Sequence, residues 1–271
     1  MTIRILSTAG LILLLAGLPA PAQPYAGEKK SWCGFDRYDF TFEDLPATVV
    51  VPRQPAKGRP WLWNAMFFGH KTNVDSTLLA RGLHVVYLGA VDRFGSPEAV
   101  AIWDRFYRHL TRTYGLSPKV ALEGISRGGL YAYNWAAANP ARVTCIYADA
   151  PVCDFKSWPG GFGKGKGDPA QWQKCRQAYG FSTDLEAFNY RHNPIDNLAG
   201  LAKARIPLLH VTGDADDIVP LEENTAVVEK RYKALGGSIH VIVKPGVDHK
   251  HGLTDPAPIT HFILKHTLPT P

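Results

Sequence analysis

The chain has 271 residues, 45% of them hydrophobic, and a formal net charge of +6 at neutral pH. That is enough for one domain with a sizeable core and too little for two. The basic residues are scattered and no nucleic-acid-binding motif accompanies them, so the charge points to acidic partners such as an anionic polysaccharide or a cell surface and away from nucleic acid.

The first residues carry Arg4, an apolar run from Leu11 to Leu18, and then Ala20-Pro21-Ala22. A short apolar core followed by small residues predicts a signal peptide over 1–22, cleaved on export, and a mature domain over 23–271. The run is too short to span a bilayer, so no stable membrane insertion is expected.

Beyond the leader, Tyr38 to Phe42 and Thr48 to Val51 read as a first pair of strands around the turn EDLPA. Apolar runs at Trp61 to Phe68 and Leu83 to Leu88 bracket the helix candidate VDSTLLARG. Val100, Trp103, Phe106, Tyr107 and Leu110 recur at helical spacing behind Ser96-Pro97, a helix start. Then come a strand at Val120 to Leu122, a helix ending at Asn139, strands at Val143 to Tyr147 and Pro207 to Val211, a helix from Glu222 to Leu235, a strand at Ile239 to Val243, and a last helix from about Ala257 to His266. Alternation of this kind predicts an α/β fold, a mostly parallel doubly wound sheet with helices on both faces. Residues 153–195 break the rhythm with glycine, lysine and aromatics, and read as a lid-like insertion over the active site.

Four cysteines, Cys33, Cys145, Cys153 and Cys175, are an even count in a chain read as exported, which predicts one or two disulfides. Cys153 with Cys175 is the favoured pair, since both flank the inserted segment. The alternative for Cys145, in the apolar stretch RVTCIYA, is a buried free thiol.

The segment KVALEGISRGGLYAYNWAAANP holds the pattern Gly124-Ile125-Ser126-Arg127-Gly128 between a predicted strand and a predicted helix. A serine there sits on a sharp turn, with small residues two positions away where strand and helix approach closely. Its hydroxyl is lifted into the open, and the amide of Arg127 faces the place where an oxyanion would form. Serine needs an imidazole to take its proton, and the imidazole needs a carboxylate. Candidates follow in chain order: Asp214, Asp216 and Asp217 after the strand IPLLHVTG, then His249 and His251 after HVIVKPGVD. A solvated helix cap accounts for some of the acids, and a metal site built on His-x-His is the competing reading of the histidines.

These motifs resemble the α/β-hydrolase superfamily, and the resemblance covers essentially everything after Tyr38. It implies Ser126 as nucleophile, Asp216 as acid and His249 as base, with no cofactor and no metal. The His-Gly-Gly run that many lipases and esterases use for the second oxyanion amide is replaced by RPWLWNAMFFGH, which puts the donor in the backbone near Ala65 and Met66. Ser followed by Arg is similar to the elbow of glucuronoyl esterases, where that arginine helps stabilise the oxyanion. A salt bridge is the other role open to Arg127.

Export and basic charge, with Trp158, Trp172, Phe162, Lys164 and Lys166 in the insertion and Asp149 and Asp154 after a strand end, predict a small-molecule or polysaccharide ester as substrate: an O-acyl or uronic acid ester of a carbohydrate, hydrolysed through an acyl-enzyme. The tryptophans could instead pack the insertion onto the core. A serine peptidase of the same superfamily stands second, the missing propeller domain counting against its oligopeptidase type, and a catalytically silent glycan-binding relative stands third.

Overall fold

The structure, a computed structural model, describes residues 25–70 and 72–268; the leader over 1–22 lies outside them. Nine strands form one sheet: β1 (Glu28–Trp32), β2 (Phe35–Phe42), β3 (Leu45–Val51), β4 (Trp61–Asn64), β5 (His84–Leu88), β6 (Val120–Ile125), β7 (Val143–Asp149), β8 (Leu208–Gly213) and β9 (Ile239–Lys244). Their spatial order is β1-β2-β3-β5-β4-β6-β7-β8-β9. The first three strands and the β3–β5 junction are antiparallel, and every pairing from β5 through β9 is parallel. The antiparallel edge includes β1, whose charged sequence EKKSW gave no strand signal.

The parallel strands need crossover helices, and these supply the two covering layers. On one face α1 (Thr72–Ala80) and α8 (Ala257–Thr267) bury Val74, Leu78, Ile259 and Ile263 against Leu62, Ala121, Tyr147 and Leu209. On the other, α2 (Pro97–Thr113), α3 (Gly128–Ala138) and α7 (Thr225–Ala234) cover the remaining core. Ser96 caps α2 by accepting from the Ala99 amide at 3.3 Å. Four tryptophans brace this layer: Trp63 stacks on Trp103 at 4.0 Å, with Trp61 and Trp135 each within 5.4 Å of Trp63.

The insertion after β7 is a loop followed by α4 (Pro169–Tyr179) and α5 (Asp184–Asn189), with α6 (Ala199–Lys203) leading back to β8. Asp168 and Thr183 cap α4 and α5 through their side-chain oxygens. Its aromatics extend the main core, in which Phe155 meets Trp172, Tyr179, Phe181 and Tyr190 at centroid distances of 5.0–6.0 Å. All four cysteines are free thiols, so the expected Cys153–Cys175 bridge is corrected. Both sulfurs are wholly buried in the main core and behave as small apolar side chains. Burial also pushes the Cys145 thiol up to about 12.

Candidate active site

Register places the functional loops together. Ile125, the last residue of β6, pairs with Asp149 of β7, and Asp149 pairs with Val211 of β8, so the carboxyl ends of adjacent parallel strands share one edge. Ser126 follows β6 with φ +50°, outside the comfortable range for an L-residue. The turn is held by Ser126 N–H donating to Asp149 O at 2.9 Å, and by the Ser126 carbonyl accepting from Gly129 at 3.0 Å and Val152 at 2.9 Å. The glycines are there because strand and helix leave no room. A Cβ on Gly124 would lie 3.1 Å from the Gly129 Cα, and one on Gly128 3.2 Å from the Met66 Cβ.

Ser126 Oγ lies 3.0 Å from His249 Nε2, and His249 Nδ1 lies 2.6 Å from Asp216 Oδ2. With Nδ1 protonated, Nε2 is the acceptor for the serine proton. Asp216 is buried, and its other oxygen accepts from the amides of Ile218 (3.0 Å) and Val219 (2.8 Å), which fixes the carboxylate. The neighbouring acids do other work. Asp214 accepts from the Gly246 amide at 2.6 Å, tying the histidine loop to the β8 loop. Asp217 is exposed and pairs with Lys166. His251 turns to Asp149, with Nδ1 to Oδ1 3.5 Å, while its ring meets that of His249 edge-on at 4.7 Å. The two histidines thus face different carboxylates rather than converging on one ion.

For the oxyanion, Ala65 is corrected: its N–H donates to Glu123 O at 2.9 Å. Among the described residues, the amides of Met66, Phe67 and Arg127 donate to no protein acceptor, and Phe67 holds a positive φ of 60°. Met66 and Arg127 keep their candidacy, and Phe67 joins them.

The remaining expectations are redistributed. Asp149 does not line a cleft. It is fully buried beneath the site, accepting from Tyr147 Oη at 2.6 Å and from Gly252 N at 2.5 Å. Trp158 packs against the core, and Trp172 is buried with its indole N–H on Asp184 at 2.9 Å, so the packing role won over sugar stacking. Lys164 and Lys166 are exposed and already face Glu222 (3.6 Å) and Asp217 (2.5 Å). The insertion still flanks the site, since Lys166 N–H also donates to Asp217 O at 2.8 Å and Gln171 accepts from Arg127.

A group absent from the sequence expectations lies beneath the triad. Asp75 of α1 and Glu123 of β6 are buried acids, and neither Asp75 oxygen has a hydrogen-bond partner among the described residues. Burial pushes Asp75 up to about 7, and Glu123 well above the carboxylate range with help from the charges of Asp75 and Asp149. Asn64 donates to Glu123 Oε2 at 2.9 Å. The signal was present: Asp75 falls on the same helical face as Leu78 and Leu79, and Glu123 interrupts an apolar strand.

The prolyl oligopeptidase family profile matches residues 106–267, more than half the chain, and that stretch holds Ser126, Asp216 and His249. The chain belongs to the prolyl oligopeptidase family. It is thereby placed among the serine hydrolases of the α/β-hydrolase superfamily. No curated protein matches it significantly. Of solved structures, an acylaminoacyl peptidase from Pyrococcus horikoshii superposes with a TM-score of 0.60 at 17% identity, over 79% of this chain and 38% of that one. An acylaminoacyl peptidase in complex with Z-Gly-Gly-Phe-chloromethyl ketone superposes with a TM-score of 0.61 at 17% identity, over 86% and 40%. These likenesses support the fold, and the chain spans about two-fifths of each relative's length.

Proposed function

We propose that the protein is an exported serine hydrolase that cleaves an acyl bond of a peptide-like substrate, with Ser126 as nucleophile, His249 as general base and then acid, and Asp216 as the orienting carboxylate. The observation that carries this reading is the unbroken chain Ser126 Oγ–His249–Asp216 at 3.0 and 2.6 Å, on a strained turn, in a member of a peptidase family.

In the mechanism, Ser126 attacks the acyl carbon as its proton passes to His249 Nε2. The resulting oxyanion is met by the Arg127 amide and by Met66 or Phe67. His249 protonates the departing amine or alkoxide, and water then repeats the cycle on the acyl-enzyme. Asp216 orients the imidazole through the cycle, its second oxygen held by the two amides. A peptide fits better than a carbohydrate ester because the tryptophans expected to stack on sugar are packed inward and the lysines expected to meet an acidic group already face acids.

The test is a panel of matched substrates given to the mature protein: N-acylated and free peptide p-nitroanilides beside acetylated and uronic acid methyl-ester saccharides. Turnover of the anilides with a higher kcat/KM than the saccharides is expected. Saccharide ester hydrolysis without amide cleavage would return the function to a carbohydrate esterase.

A further inference from the structure

A cavity of about 540 Å³ opens beside the elbow, walled by Met66, Phe67, Phe68 and Tyr87, with Arg37 and Arg127 both on its lining. The two guanidiniums lie against aromatic rings, Arg127 over Phe67 at 5.7 Å and Arg37 over Phe68 at 5.1 Å. They differ in what neutralises them. Arg37 donates through Nε to Asp39 at 2.8 Å. Arg127 donates through Nη1 to the neutral amide oxygen of Gln171 at 3.1 Å. Its nearest carboxylate, Asp92, stands 3.8 Å away, is half-exposed, and already binds Lys174 at 2.8 Å. The Arg127 Nε is buried without an acceptor, on a side chain only 16% exposed.

A guanidinium withdrawn from water needs an anionic acceptor of suitable geometry, and among the described residues the carboxylate within 4 Å of Arg127, that of Asp92, is shared with Lys174. The residue also follows Ser126 directly, on the turn that presents the nucleophile.

We propose that Arg127 anchors a carboxylate of the substrate, and that the aromatic-walled cavity beside it takes the flat apolar group carrying that carboxylate. This rests on the reading of Ser126 as nucleophile and narrows it to substrates with a negative charge near an apolar ring or chain. A carboxylate meets the guanidinium as a charge-assisted, directional pair, and the rings of Phe67, Phe68 and Tyr87 supply the apolar contact. A C-terminal aromatic amino acid and a uronic acid both bring a carboxylate, and only the first brings the apolar body.

The experiment measures binding to the Ser126→Ala protein by calorimetry, using 3-phenylpropionate, its neutral amide 3-phenylpropionamide, and glucuronate. The expected result is that 3-phenylpropionate binds about tenfold or more tighter than the amide and than glucuronate, with the preference over the amide shrinking as salt is raised. Adding Arg127→Gln should bring the acid to the amide's level, and Arg127→Lys should keep part of the difference. Should the Gln variant fail to fold, the Lys variant and the salt titration decide. Equal binding of acid and amide, or a preference that Arg127→Gln leaves intact, overturns the anchor. Glucuronate binding as tightly as 3-phenylpropionate overturns the apolar half of the proposal. Because this assay needs no turnover, its failure is separable from failure of the nucleophile assignment, which covalent labelling of Ser126 tests by itself.

Discussion

Replacing Asp75 with Asn should change how stability depends on pH. The carboxyl is buried under the elbow with neither oxygen hydrogen-bonded among the described residues, and its ionisation is moved from 3.8 to about 7. A folded-state value above the unfolded one means that the folded protein holds the proton more tightly. Stability is therefore full below about pH 4 and is lost as pH rises toward 7. At about 1.4 kcal/mol per pH unit, this costs the wild-type protein up to about 4 kcal/mol by neutral pH. Glu123, shifted the same way and partly by Asp75 itself, adds to the slope. An asparagine cannot ionise, and it removes the repulsion on Glu123. The assay is calorimetric melting of both proteins at pH 4.5 and pH 8, and the quantity read is the change in their Tm difference between the two. About 1 kcal/mol of this is already lost at pH 4.5, which lies above the unfolded value, and for a domain of this size the remaining roughly 3 kcal/mol corresponds to a swing of about 6–12 °C in favour of the variant at alkaline pH. A swing under about 2 °C would mean that Asp75 ionises freely in the folded protein and that the buried-acid reasoning is wrong.

Asp216→Asn should lower kcat by about 10⁴-fold through loss of the imidazole's orientation. Asp217→Asn, which removes only an exposed pair with Lys166, should stay within a few-fold when both are assayed on the same substrate. Gly129→Ala should destabilise by about 1–3 kcal/mol in a denaturant melt. The cause is that its new Cβ would lie 2.7 Å from Val152 O and 2.8 Å from Pro151 Cβ. Thiol titration of the native protein should find Cys33 reacting quickly, while Cys145, Cys153 and Cys175 react only after denaturation, since those three are buried. A reduced-versus-oxidised mass difference in the native protein would instead restore a disulfide.

The triad was legible because each member ends or follows an apolar strand, and such patterns survive in one dimension. Gly124-Ile125-Ser126-Arg127-Gly128 announces the turn, and the strands before Asp216 and His249 announce the edge that gathers them. The residues alone left Asp214, Asp216 and Asp217 open and only the family resemblance singled out Asp216, whose carboxylate meets both His249 and the amides of Ile218 and Val219 in three dimensions. The insertion misled for a related reason. Glycine, lysine and tryptophan in one stretch look like a binding wall, but Phe155 draws Trp172 inward and the lysines find acids on the β8 loop and the turn before α7. Ala65 failed because backbone pairing with Glu123 leaves no mark on side-chain sequence. The partners of Arg127 on the insertion and on the segment after β5 are likewise set only by tertiary contact.

The account turns on Ser126 being activated by His249, and covalent labelling tests this most directly. The mature protein is treated with a fluorophosphonate at neutral pH, digested, and mapped by mass spectrometry beside folded Ser126→Ala and His249→Ala variants. One stoichiometric adduct on Ser126 in the wild type is predicted, with none in Ser126→Ala and a rate reduced by several orders of magnitude in His249→Ala. Labelling of another serine, or undiminished labelling of Ser126 without His249, would contradict the assignment.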